Sequence, residues 1–111
     1  YFTDEQRKNA KKIVNSIEET GDYEKEVTTE RNHEALVFRS AANDEPIARI
    51  EFTESRARMY YRDQHGEMDN IGYLYGGKEN QHIDYNGNDD VDEYIEDLKN
   101  KVKGANRKWG K

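Results

Sequence analysis

Residues 46–54 read Pro-Ile-Ala-Arg-Ile-Glu-Phe-Thr-Glu, a stretch in which apolar and polar side chains alternate. Side chains along a β-strand point to opposite faces in turn, so the alternation predicts a strand with one apolar face. That face carries Ala48, Ile50 and Phe52, and the opposite face carries Ile47, Arg49, Glu51 and Thr53. Such a strand is typical of an antiparallel sheet that packs on one side and meets water on the other.

The period of two continues on both sides of this stretch. It predicts further strands over residues 23–29, 34–40, 57–63, 70–75 and 80–85. The links between them are short and rich in turn formers, such as Gly66 and the pair Asn86-Gly87. Strands joined by such short links pair antiparallel with their neighbours, so we expect a sheet of five or six strands.

Two amphipathic helices are predicted, one before the strands and one after them. The first has apolar side chains at helical spacing, namely Ala10, Ile13, Val14 and Ile17. The last has a matching stripe, namely Val91, Tyr94, Ile95, Leu98 and Val102. Gly21 and Gly104 mark the predicted helix ends, because glycine is favoured just after the last turn of a helix.

The predicted fold is therefore α+β, with an N-terminal helix, an antiparallel sheet of five or six strands and a C-terminal helix. Both helices are expected on the apolar face of the sheet. We expect residues 1–104 to form a single domain and residues 105–111 to form a flexible basic tail. The core is thin for 111 residues, and eight tyrosines are expected to help fill it. A homodimer would enlarge it.

Composition excludes several classes of protein. The chain has no cysteine, so it holds no disulfide and no thiolate metal site, which fits a reducing compartment and predicts a cytoplasmic location. Its apolar runs are too short to cross a membrane. No catalytic, cofactor-binding or metal-binding motif is present, so we expect a protein that is not an enzyme and that carries no cofactor or metal. The chain begins with Tyr1, which favours an accessory domain of a larger or secreted protein as an alternative.

The net charge of −6 is unevenly distributed. Residues 76–98 carry eight acids and one lysine, whereas residues 99–111 carry six bases and no acid. Two rows of carboxylates are candidate partner-binding residues. The first strand supplies Glu24, Glu26 and Glu30, and the start of the last helix supplies Asp89, Asp92, Glu93, Glu96 and Asp97. Spaced carboxylates on a rigid scaffold imitate a row of phosphates, although charged faces are also the ordinary means of staying in solution.

The leading functional hypothesis is a non-catalytic inhibitor that binds a protein partner. The partner would be a basic nucleic-acid-binding enzyme whose channel the acidic rows occupy. In size, charge and layout the chain resembles the small acidic inhibitors of phages and mobile elements, such as anti-CRISPR and anti-restriction proteins. That resemblance implies a DNA mimic and assigns no individual residue.

An alternative hypothesis is a nucleic-acid-binding module. Four residues of one strand are expected on one sheet face, namely Arg56, Arg58, Tyr60 and Arg62. Guanidinium groups beside an aromatic ring suit phosphate binding and base stacking. The same arginines would equally form cross-strand ion pairs with carboxylates such as Glu51.

Overall fold

The computed structural model describes residues 4–30, 33–52, 56–75, 83–84 and 91–111. It contains the predicted order of a helix, a run of strands and a second helix. The helices are α1 (Asp4–Glu18) and α2 (Val91–Trp109). The strands are β1 (Tyr23–Glu30), β2 (His33–Ser40), β3 (Pro46–Phe52), β4 (Arg56–Arg62), β5 (Met68–Tyr75) and β6 (Ile83–Asp84).

The strands form one antiparallel sheet in the order β1-β2-β3-β4-β5-β6, so each strand pairs with its neighbour in the sequence. Short links leave no room for a crossover connection, which is why the chain folds as a meander. The register aligns apolar residues into rows, for example Leu36 opposite Ile50 and Ile50 opposite Met59. The predicted α+β class is confirmed, with an antiparallel sheet that lies between the two helices in the sequence.

The core lies between the helices and one face of the sheet. The apolar stripes of α1 and α2 supply buried residues to the same cluster as the sheet, including Ile13 and Leu98. The predicted inward residues Ala48 and Ile50 are buried there, and Phe52 packs against them. Neither helix, among the residues described, is long and apolar enough to span a membrane.

Two β-bulges alter the predicted alternation. Phe38 lies opposite Ala48 but Arg39 lies opposite Pro46, so Ile47 is an extra residue in β3. Ile47 is fully buried in the core rather than on the outer face, and the prediction that placed it with Arg49 and Glu51 is wrong. A bulge changes the facing of a strand because it adds one residue against an unchanged partner. Ile71 occupies the same kind of position in β5 and is also buried.

The C-terminal segment differs from the prediction. Helix α2 continues through Gly104 to Trp109, so the predicted end at Gly104 and the predicted flexible tail over residues 105–111 are both wrong. Helix propensity is a weak preference that tertiary contacts override. Here Ala105 is buried, and the hydroxyl of Ser40 donates a hydrogen bond to the carbonyl of Gly110 at 2.6 Å.

Candidate functional site

The acidic row of β1 lies on the outer face of the sheet, away from the helices. Glu26 is aligned with Val37 and Arg49, whereas Lys25 faces the helices and forms an ion pair with Glu18 of α1. The carboxylate of Glu26 lies 3.5 Å from Arg39 on the neighbouring strand. Glu24, two residues before it, is exposed on the same face. The side chain of Glu30 lies outside the described part of the chain.

The acidic row of α2 lies on the helix side of the molecule. Asp92, Glu93 and Glu96 are exposed, and Asp97 is half-exposed. Asp92 accepts a hydrogen bond from Lys12 of α1 at 2.8 Å, and Asp97 lies 3.3 Å from Lys101 one turn further along α2. Asp89 lies outside the described residues. Because α2 covers the inner face of the sheet, the two acidic rows lie on opposite sides of the molecule and do not form one surface.

The four residues predicted to share one face of β4, three arginines and a tyrosine, do not form a single surface. Arg58 lies on the outer sheet face, 3.5 Å from Glu51, and the guanidinium of Arg49 stacks 4.5 Å from the ring centre of Tyr60. Arg58 therefore forms the cross-strand ion pair with Glu51 that was expected as the alternative to phosphate binding. Arg62 stands at the end of β4 and turns away from this face toward the C-terminus of α2. The side chain of Arg56 lies outside the described part of the chain.

A cleft of about 470 Å³ lies between the second half of α2 and the β4–β5 hairpin, and sequence reasoning did not find it. Its aromatic walls are Tyr61 and Trp109. The indole N–H of Trp109 donates to the backbone carbonyl of Asp63 at 2.9 Å, and the guanidinium of Arg62 lies 4.3 Å from the centre of its ring. The one available signal was that Trp109 is the sole tryptophan, an unusual residue for a flexible tail.

The hairpin loop over residues 63–67 is held together by the carboxylate of Asp63, its first residue. The backbone N–H of Glu67 donates to the Asp63 carboxylate at 3.0 Å, and that of His65 does so at 2.8 Å. These bonds, that of Glu67 foremost, hold the pKa of Asp63 below its ordinary value, because they stabilise the ionised carboxylate. Asp63 is therefore charged at neutral pH and fixes the loop against which Trp109 rests.

Gly66 closes this loop with a φ of 84°, in the left-handed region. We expect Gly66→Ala to lower the free energy of unfolding by about 1–2 kcal/mol, because an L side chain is strained there. A Cβ at this position would lie 3.4 Å from the Trp109 ring, an ordinary contact, so the loss would come from the backbone rather than from a clash. Urea denaturation measures it. Asn tolerates the left-handed region, so Gly66→Asn should lose less, and equal losses for both variants would refute the backbone explanation.

Tyr61 adds a polar group to the opposite wall. Burial, followed by the negative charge of Asp69, raises the pKa of Tyr61 above its ordinary value, so its hydroxyl is protonated at neutral pH. That hydroxyl lies 3.5 Å from the Asp69 carboxylate, and the ammonium of Lys101 lies 5.9 Å from the ring centre. The cleft thus combines aromatic surface, a phenol donor and positive charge.

Within the described ranges, no group of three His, Asp or Glu side chains is arranged to hold a metal ion. The fold and these surfaces define a small α+β protein with separated charged faces and a cleft beside its C-terminal helix. Comparison of the chain with protein-family models, curated proteins and solved structures finds no match.

Proposed function

We propose that the protein is a non-catalytic binding module that contacts a basic surface of a nucleic-acid-binding enzyme through the first half of α2. The observation that carries the proposal is the exposure of Asp92, Glu93 and Glu96 on a helix whose other side is fixed in the core. Tyr94 and Leu98 are each only 1% exposed, so they hold the helix in place. A partner would therefore meet carboxylates that project from a fixed helix backbone.

The spacing of this row suits a surface that normally binds nucleic acid. Residues three and four positions apart on a helix have Cβ atoms about 5–6 Å from each other, so Glu93 and Glu96 are neighbours. Lysine and arginine side chains that already face a polyanion would meet carboxylates at similar intervals. Lys12 partly offsets the charge of Asp92, and Glu93 and Glu96 extend the row along the exposed side of the helix.

The row on β1 serves as an internal comparison. Glu24 and Glu26 have the same chemistry but lie on the opposite side of the sheet, and Glu26 shares its charge with Arg39. A single partner surface cannot cover both rows. The proposal therefore assigns binding to the α2 row, and charge reversal distinguishes the two.

The double variant Glu93→Lys/Glu96→Lys should lose binding to a basic partner. The test first captures partners from host lysate at low and high salt, and then purifies one nucleic-acid-binding enzyme that is retained only at low salt. Wild-type protein should compete with DNA for that enzyme. The variant should compete at least about tenfold less well, because two attractive charge contacts become repulsive.

The matched control is Glu24→Lys/Glu26→Lys, which changes the net charge by the same amount on the other face. It should compete for the enzyme within about twofold of wild type. Equal loss in both double variants would show that only net charge matters, and no competition with DNA by wild-type protein would remove the DNA-mimic proposal. Circular dichroism verifies that both variants fold.

A further inference from the structure

The cleft between α2 and the β4–β5 hairpin has the size of a small-molecule site. Its volume of about 470 Å³ falls within the range of about 300–1,000 Å³ typical of ligand pockets. It lies at the basic end of α2, away from the acidic first half to which partner binding is assigned. An inference about this cleft is therefore independent of the proposed function.

The cation of the cleft that most favours an anion is Lys108. The other cationic lining residues already have carboxylate partners, because Arg62 lies 2.8 Å from Glu45 and Lys101 lies 3.3 Å from Asp97. Asp63 and Asp69 are the acidic residues among the described lining. The Asp63 carboxylate is occupied by backbone N–H groups of its own loop. Lys108 forms no ion pair in the part of the chain that the structure describes, and its ammonium lies 5.4 Å from the ring centre of Trp109. It is a cation placed beside an aromatic ring and available to a phosphate group.

The aromatic residues of the cleft favour a planar group. Tyr61 and Trp109 are both half-buried and both line the space. The indole of Trp109 is held in one orientation by its hydrogen bond to Asp63 and by Arg62. Fixed aromatic rings beside cations are the arrangement that binds nucleotides by stacking on the base and attracting the phosphate.

Gly104 supplies a separate observation. It lies inside α2 and lines the cleft, although glycine destabilises a helix interior relative to alanine. A Cβ built at Gly104 would meet no atom within 4 Å, so packing within the protein does not require glycine there. A glycine without a packing reason leaves the helix backbone open to close approach by another molecule.

We propose that this cleft binds a small ligand that joins a planar aromatic ring to a phosphate, of the nucleoside monophosphate class. The ring would lie against Trp109 and the exposed edge of Gly104. The phosphate would lie near the ammonium groups of Lys101 and Lys108.

The test uses AMP as the probe. Trp109 is the sole tryptophan, so its fluorescence, excited at the red edge of its absorption, reports the cleft directly. AMP should change this signal saturably, with a Kd of about 1 mM or tighter. The Lys101→Ala/Lys108→Ala variant should bind about tenfold or more weakly, because both phosphate contacts are lost. Inorganic phosphate alone and adenosine alone should each bind more weakly than AMP.

The matched control is Lys8→Ala/Lys11→Ala, which removes two exposed lysines of α1 outside the cleft. It should bind AMP within about twofold of wild type. No saturable change with AMP up to about 10 mM, equal weakening in both lysine variants, or phosphate binding as tightly as AMP would each overturn the proposal.

Gly104→Ala separates binding from folding. The methyl group should raise the melting temperature, because alanine favours the helix and meets no clash. The same methyl group should weaken AMP binding, because it occupies the approach to the helix. Unchanged AMP affinity in a stabilised Gly104→Ala variant would overturn the placement of the ring against α2.

Discussion

Phe38→Ala is expected to lower the free energy of unfolding by about 3–5 kcal/mol, the range for removing a buried phenylalanine. Phe38 is 0% exposed and lies in β2 opposite Ala48, at the centre of the face that packs on the helices. Tyr23 meets its ring edge-on at a centroid distance of 6.1 Å. Alanine would leave a cavity that the small neighbour Ala48 cannot fill. Small domains are stable by only about 5–15 kcal/mol, so a large part of the total would be lost.

Urea denaturation followed by circular dichroism and by Trp109 fluorescence measures this loss. The matched control is Val27→Ala on β1, which removes apolar carbon from a side chain that is 69% exposed. It should change stability by no more than about 0.5 kcal/mol. A Phe38→Ala loss as small as that of the control would mean that the core does not centre on β2.

Much of the fold was predictable because its signals are local. The stripe of Ile13 and Ile17 in α1 and the alternation of Ala48 and Ile50 in β3 each follow from the geometry of one element. Burial then requires the helix stripes and the apolar sheet face to meet. The bounds of β1 to β5 either match the prediction or differ from it by one or two residues, which is the ordinary uncertainty of element ends.

The bulges at Ile47 and Ile71 were not predictable, because they arise between strands rather than within one. Ile47 alternates correctly with Arg49 in the sequence, and only its pairing with β2 reveals the extra residue. Gly72 was the local hint for the second bulge. Its φ of 147° favours glycine, and its backbone N–H donates a hydrogen bond to the side-chain oxygen of Asn70 at 3.0 Å.

The candidate sites show the same division between local and tertiary information. Charge counting located the carboxylates but could not show that Glu26 and Glu93 lie on opposite sides of the molecule. Alternation grouped Arg62 with Arg58, whereas the contact of Arg62 with Trp109 joins residues far apart in the chain. The cleft depends on that contact, so no local pattern could have predicted it.

Deletion of residues 105–111 is expected to be about as damaging as Phe38→Ala. It removes the buried Ala105, the indole of Trp109 and the hydrogen bond from Ser40 to Gly110. Removing a large aromatic side chain that is only half-buried costs about 2 kcal/mol, and each lost hydrogen bond that leaves a buried group unsatisfied adds about 1 kcal/mol. The expected loss is therefore about 4 kcal/mol or more, whereas a flexible tail would contribute almost nothing.

Circular dichroism during urea denaturation compares the deletion with two point variants, since the deleted chain has no tryptophan. Trp109→Ala should account for more than half of the loss, because the indole carries both the contact with Arg62 and the hydrogen bond to Asp63. Arg107→Ala, at an exposed position of the same turn, should change stability by no more than about 0.5 kcal/mol. If the deletion is as mild as Arg107→Ala, the last two turns of α2 do not hold the β4–β5 loop. The wall that Trp109 gives the cleft would then be absent in solution.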